Sequence, residues 1–271
     1  MQSSTMTAGW WRSPDGVADL HFASATHPGL VRPHNEDALL AAPPVFLVAD
    51  GMGGHARGDV ASRLVVEAFA PLRDQVALQP ADVDAAIEES RRNVSALADR
   101  FTSAPGSTLV AASYLLEDGR GYWLLANIGD SRAYSWREGV LDQLSTDHSV
   151  IQELIDAGTI TRDEALGHPD RHVITRAIGG LADSAADFAL IPAELGSRLL
   201  LCSDGLHSEL SETAISHILS EPSTPDHAVA TLVDAAVSAG GHDNVTVIVV
   251  DIRGRTDHPA EDTVPTGGLG G

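Results

Sequence analysis

Cysteine is nearly missing from the chain: Cys202 stands alone inside the apolar run Leu199-Leu200-Leu201-Cys202. An intramolecular disulfide framework is therefore excluded, and a reducing compartment is compatible with the composition. Basic residues are also scarce, with 17 Lys plus Arg against 38 Asp plus Glu and a formal net charge of −21. Nucleic acid and anionic membranes are bound mainly by Lys and Arg, and the sequence has no basic run, so neither is an expected partner. No segment approaches the ~18 consecutive apolar residues of a membrane-spanning helix. The opening MQSSTMTAGWWRSPDG has no basic start followed by an apolar stretch, which is unlike a secretory leader. These absences lead us to expect a diffusible, cytoplasmic, monomeric protein.

What is present is the material of an ordinary core, since 43% of the 271 residues are hydrophobic although only 4% are aromatic. Residues 1–253 are expected to form one domain, followed by a flexible tail over 254–271 that is rich in Pro, Gly and Thr and has no apolar period. Within the body, strand-like runs recur at 18–24, 45–49, 107–116, 122–128, 131–136, 198–203 and 244–251. Glu117-Asp118-Gly119 and Ile128-Gly129-Asp130 leave no room for a crossover helix, so both predict hairpins and an antiparallel α+β pattern. Apolar stripes at Ala61, Leu64, Val65, Ala68 and Phe69, and at Val83, Ile87, Ser90, Val94, Leu97 and Phe101, predict two helices. Asp59 is the expected N-cap of the first. A third helix starts at Thr224-Pro225 and stops at Gly240-Gly241. Residues 145–180 depart from this pattern, with short helices capped near Thr146 and by the box Thr161-Arg162-Asp163-Glu164, and read as an inserted helical flap.

Three apolar runs end in an aspartate beside glycine, giving Asp50-Gly51, Gly129-Asp130 and Asp204-Gly205. Asp243 precedes a further strand, and Asn35-Glu36-Asp37 leads into another apolar run. A single Asp-Gly is ordinary turn chemistry. Repeated at several strand ends, such carboxylates can converge, and their mutual repulsion then calls for divalent cations. Oxygen ligands alone favour magnesium or manganese. The glycines around Asp50 (Gly51, Gly53, Gly54) also allow a backbone carbonyl to join the ligands.

Other phosphate chemistries lack their residues. There is no G-x-x-x-x-G-K-[ST] loop, no G-x-S-x-G elbow and no H-E-x-x-H helix. Cys202 has Ser208 where a thiolate phosphatase would need an arginine, and Asp50 has no second aspartate two residues on. Covalent phosphoenzyme routes lose support accordingly, leaving metal-activated water.

The ordered set Arg32-Pro33-His34-Asn35-Glu36-Asp37, Val48-Ala49-Asp50-Gly51-Met52-Gly53-Gly54-His55, Gly106-Ser107-Thr108, Asn127-Ile128-Gly129-Asp130-Ser131-Arg132, Cys202-Ser203-Asp204-Gly205 and Asp243-Asn244-Val245-Thr246 resembles the motifs of type 2C metal-dependent serine/threonine protein phosphatases in their compact bacterial form. The resemblance implies a four-layer αββα sandwich of two antiparallel β-sheets flanked by helices. It also implies two to three Mn2+ or Mg2+ ions. Asp50 would bridge two of them, with Asp204 and Asp243 on the first and Glu36 and the Gly51 carbonyl on the second. Asp130 with Asp204 would match a third site, Asp37 would orient water, and Arg32 would grip the substrate phosphate.

The implied reaction is hydrolysis of phosphoserine and phosphothreonine by a water or hydroxide bridging two cations, opposing a protein kinase. The alternative is an inactive phosphoprotein-binding module of the same fold. Where many eukaryotic members carry a histidine after Asp-Gly, this chain has Met52, which leaves the general acid open. His55 could take that part, directly or through water, or serve as a structural hydrogen bonder in a glycine loop.

Overall fold

The computed structural model describes residues 5–254, except 15, 17, 54–56, 99–103, 166, 180–184 and 222. Two antiparallel sheets face each other. One contains, in spatial order, β1 (Thr5–Arg12), β2 (Ala18–His27), β13 (Val245–Gly254), β12 (Arg198–Cys202), β8 (Arg132–Arg137) and β9 (Val140–Gln143). The other runs β10 (Ile178–Gly179), β5 (Gly106–Ser107), β4 (Val45–Met52), β6 (Leu109–Glu117), β7 (Arg120–Ile128) and β11 (Asp187–Pro192), with β3 (Asp37–Ala42) also paired to β4. Between the sheets the few aromatics are concentrated: Phe22 meets Phe46 edge-on at 5.3 Å, and Trp123 meets Phe46 and Tyr114 at 5.9 and 5.6 Å. Such large rings fill the inter-sheet layer with few residues.

Helices cover both outer faces. On the second sheet lie α1 (Gly58–Phe69) and α2 (Pro80–Ala98), whose expected stripe Val83, Ile87, Ser90 and Val94 is buried. On the first sheet lie α5 (Asp204–His207), α6 (Glu212–Ser220) and α7 (Pro225–Ala239), which buries Val229, Leu232, Val233 and Ala236. The four-layer α+β arrangement expected from the sequence is therefore present, including the start of α7 after Thr224 and its end at Gly240. The flap holds α3 (Val150–Asp156) and α4 (Arg162–Ala165), and its two ends meet in a bridge between Ser149 and Ile174.

Several local expectations need correction. Asp118-Gly119 does turn a hairpin between β6 and β7, but Gly129-Asp130 does not: there the chain leaves one sheet and enters the other. A short turn can equally join two layers, and only the pairing partners decide. The cap of α3 is Ser149, whose hydroxyl accepts the Gln152 N–H at 3.2 Å, rather than Thr146. Asp59 lies inside the first turn of α1, with Arg57 at the N-cap. Strands β1, β9, β10 and β11 and helices α5 and α6 were not anticipated. The expected tail lies outside the described residues, apart from Gly254, which closes β13, and Phe101 of the second stripe lies outside them too.

Candidate metal centre

All the carboxylates singled out from the sequence come to one end of the sandwich. Antiparallel pairing sets Asp37, at the start of β3, opposite Asp50, near the end of β4. Cys202 pairs with Val247, so the chain just beyond β12 and the loop before β13 carry Asp204 and Asp243 to the same edge. Asp130 arrives on the turn between the sheets. A cleft of about 450 Å³ is lined by Arg32, Glu36, Asp50, Gly51, Asp130, Asp204 and Asp243, together with His172 and His242. Asp37 lies beside it, and His55 falls outside the described residues.

Glu36, Asp37, Asp50 and Asp130 are each held by a neighbouring side chain, at the backbone or at the carboxylate. The Asp50 N–H donates to Thr108 Oγ1 at 3.0 Å, Thr108 returns its own N–H to the Asp50 carbonyl at 2.9 Å, and its hydroxyl shares a 2.7 Å hydrogen bond with Ser131. Asn244, buried at 4% exposure, accepts the Glu36 N–H at 2.7 Å and donates to the carbonyls of Pro28 and His34 at 3.0 and 2.9 Å. One amide thus fixes the loop bearing Arg32 and Glu36 against the loop bearing Asp243. Ser203 donates to Asp37 Oδ2 at 2.8 Å, and His207 Nε2 donates to the Asp130 carbonyl at 3.0 Å. Gly51 admits no side chain, since a Cβ there would lie 2.2 Å from the Gly58 carbonyl oxygen and 2.5 Å from that of Glu36.

The electrostatics are lopsided. Burial raises the pKa of Asp37 to about 7 and that of Asp130 to about 8, in each case helped by the charge on Asp204. Burial and the neighbouring carboxylates also push Asp50 well above the usual range. Asp204 and Glu36 are raised as well, chiefly by burial, while a hydrogen bond between the Asp50 and Asp204 carboxyl groups partly offsets the rise at Asp204. The cation facing this group is Arg32, which donates to Asp243 at 2.6 Å. Asp37 Oδ1 and Asp204 Oδ1 are buried without a hydrogen-bond partner.

Among the described residues, no three histidine, cysteine or acidic side chains already meet at ion-binding spacing. Arg32 pairs with Asp243, and the charges of Arg132 and Arg32 act on Asp130 and Asp204 respectively. The donor set fits hard divalent cations: it is all oxygen, heavily anionic and contains orphaned carboxylate atoms.

A family model described as Protein phosphatase 2C matches residues 33–235. The chain belongs to the protein phosphatase 2C family. It is 38% identical over 238 residues to the serine/threonine protein phosphatase PstP of Mycobacterium tuberculosis, covering 86% of this chain and 45% of that protein. The chain thus spans about half the length of this curated relative. It is 34% identical over 245 residues to the serine/threonine phosphatase stp of Listeria monocytogenes, covering 86% of this chain and 96% of that one.

The crystal structure of the M. tuberculosis phosphatase PstP/Ppp superposes with a TM-score of 0.80 at 38% identity, covering 86% of this chain and 99% of the other. A structure of the PstP catalytic domain in complex with two manganese ions superposes with a TM-score of 0.78 at 36% identity, covering 88% and 99%. Protein phosphatase 2C enzymes are dependent on manganese or magnesium.

Sequence reasoning missed the residues that hold the ligand candidates: Thr108, Ser131, Asn244, Ser203 and His207. Several lie inside the quoted motifs, but nothing in a sequence distinguishes a hydroxyl or amide that holds a remote backbone group from one that faces water.

Proposed function

We propose that this chain is a metal-dependent protein serine/threonine phosphatase that hydrolyses phosphoserine and phosphothreonine on proteins and opposes a protein kinase. The observation that carries the reading is the cleft, where the carboxylates of the family motifs converge with Arg32 as their facing cation. Glu36, Asp50, the Gly51 carbonyl, Asp130, Asp204 and Asp243 would hold two to three Mn2+ or Mg2+ ions. When bound, such cations lower the pKa of water and take up the negative charge that develops on a phosphoryl group.

The chain's own residues do the rest. Arg32, 52% exposed at its side chain, has a planar fork that can leave Asp243 and take two phosphoryl oxygens, which a lysine cannot reproduce. Asp37 is oriented by Ser203 at one oxygen, so its other oxygen is available to hold or accept a proton. Met52 lies on the cleft wall and carries no proton to give, so the leaving alkoxide takes its proton from another group; His55 is a candidate by sequence position.

No helix among the described residues is long and apolar enough to cross a membrane. We place the enzyme in the cytoplasm, as a monomer acting on phosphorylated proteins. The test is phosphate release from a phosphothreonine peptide by folded protein, with Mn2+, with EDTA and in the Asp50→Asn variant. Turnover confined to wild type with Mn2+ supports the reading. No turnover despite bound metal would favour the inactive phosphoprotein-binding module.

A further inference from the structure

At the root of the flap, one buried ring joins three segments that are remote in sequence. His148 is 5% exposed, its Nδ1 accepts the Gly129 N–H at 3.1 Å, and its own N–H donates to the Gly129 carbonyl at 2.9 Å. Both backbone polar groups of Gly129 therefore meet one residue of the flap, and Asn127 Nδ2 also donates to the carbonyl at 3.4 Å. On the other side, the Thr175 N–H donates to the His148 carbonyl at 2.8 Å, closing the returning end of the flap onto its start. His148 Nε2 lies 3.0 Å from Asp187 Oδ2 at the beginning of β11, and Arg176 donates to Asp187 Oδ1 at 2.9 Å.

The tautomer follows from these partners. A ring nitrogen that accepts the Gly129 N–H carries no proton, so the neutral ring holds its proton on Nε2 and donates it to Asp187. The approach of Arg176 to Nε2 at 3.1 Å is then a contact between two donors, and the guanidinium finds its acceptor in Asp187 instead.

We propose that His148 is a positioning residue that locks the flap to the turn carrying Asp130. The turn has little slack. Gly129 has φ +104, and a Cβ there would lie 2.6 Å from Thr108 Cγ2, so the backbone is already pressed against Thr108, the residue between β5 and β6. Asp130 follows directly, with His207 on its carbonyl and the Ser131 hydroxyl on Thr108. Asp130 is thereby pinned from both neighbours, by the flap through Gly129 and by the Asp50 support through Ser131. A displacement of the flap moves His148, and with it the Asp130 carboxylate. The consequence for turnover rests on the phosphatase reading, whereas the clamp itself is a property of the metal-free chain.

The test compares the wild-type chain with His148→Ala and His148→Asn. Asparagine places Oδ1 at the same number of bonds from the backbone as histidine Nδ1, so it keeps an acceptor for the Gly129 N–H and gives up the reach to Asp187. In EDTA, nitrogen NMR of wild type should show an Nε2–H ring for His148, and the Gly129 amide should exchange slowly. In His148→Ala that amide should exchange about tenfold faster or more, and His148→Asn should recover most of the protection. With Mn2+ and a phosphothreonine peptide, kcat should fall about tenfold in His148→Ala and be largely rescued in His148→Asn. If His148→Ala fails to fold, Asp187→Ala carries the same test, with Gly129 exchange rising by about threefold. An Nδ1–H ring, unchanged Gly129 exchange in the variants, or an asparagine as damaging as alanine would overturn the clamp. Wild type without turnover would sink the phosphatase reading, while the exchange and tautomer measurements would still decide the clamp.

Discussion

The two ends of the sandwich handle charge in opposite ways. At the end away from the cleft, Arg198, with its side chain 9% exposed, meets Asp251 through two hydrogen bonds of 2.6 and 3.0 Å and also donates to the carbonyls of Leu219 and Ser223. Arg253 reaches the same carboxylate at 3.2 Å, and Arg12 pairs with Asp19 at 2.9 Å. Each buried charge there has its counter-charge in the chain. At the cleft end six carboxylic side chains converge, and among the described residues Arg32 is the arginine hydrogen-bonded to one of them, with Arg132 acting on Asp130 only through its charge. A fold that can satisfy a buried arginine so fully at one end, and leaves two carboxylate oxygens orphaned at the other, is organised around cations that it does not supply itself.

The largest expected effect tests the imbalance at its centre. Asp50→Asn should lower Mn2+-dependent phosphate release by about a thousandfold or more and leave the circular dichroism spectrum unchanged. Wild-type rates in this variant would remove the cleft from the mechanism. At the opposite end, Arg198→Ala leaves Asp251 and two carbonyls short of donors. It should cost about 3 kcal/mol or more in urea unfolding, while the protein that remains folded keeps its rate. A loss below about 1 kcal/mol would mean that the two ends do not differ as described.

Metal removal sharpens the contrast further. Burial lifts Asp37 to about 7 and Asp130 to about 8, so the metal-free folded chain keeps protons that the unfolded chain has released. Folding then takes up protons, and this contribution to stability is present below the usual carboxylate range and is lost as pH rises toward 8. In EDTA the melting temperature should fall across that window. The increase brought by Mn2+ should accordingly be larger at pH 8 than at pH 6, and an equal or smaller increase at pH 8 would contradict the electrostatic picture.

Smaller effects belong to the supports. Thr108→Val removes the acceptor for the Asp50 N–H and should lower turnover about tenfold, with Thr108→Ser restoring most of it. Arg12→Ala, at an exposed arginine with 59% side-chain exposure, should change stability by no more than about 1 kcal/mol.

How much of this could be read beforehand differs between the two ends as well. Asp50, Asp130 and Asp204 were legible because each sits beside glycine at the end of an apolar run, and Glu36, Asp37 and Asp243 because they stand just ahead of one, patterns that survive in one dimension. The antiparallel α+β pattern was legible from short runs with little space between them, while the sandwich was implied by the family resemblance. The supports were not, since Asn244 acts on backbone more than two hundred residues away and His148 acts on Gly129, 19 residues before it, through a fold contact that no motif records. Strand β1 is exposed over most of its length and lacks alternation, so it does not show the period of a half-buried strand. The turn at Gly129 was misread because a hairpin and a crossing between sheets use the same residues.

The central claim is that the cleft end lacks cations. Titrating Mn2+ into EDTA-treated, dialysed protein by calorimetry tests it most directly, with wild type beside Asp50→Asn. Wild type should take up at least about two ions per chain, and the variant should lose most of that binding. No uptake by folded wild type, or equal uptake by Asp50→Asn, would contradict the claim.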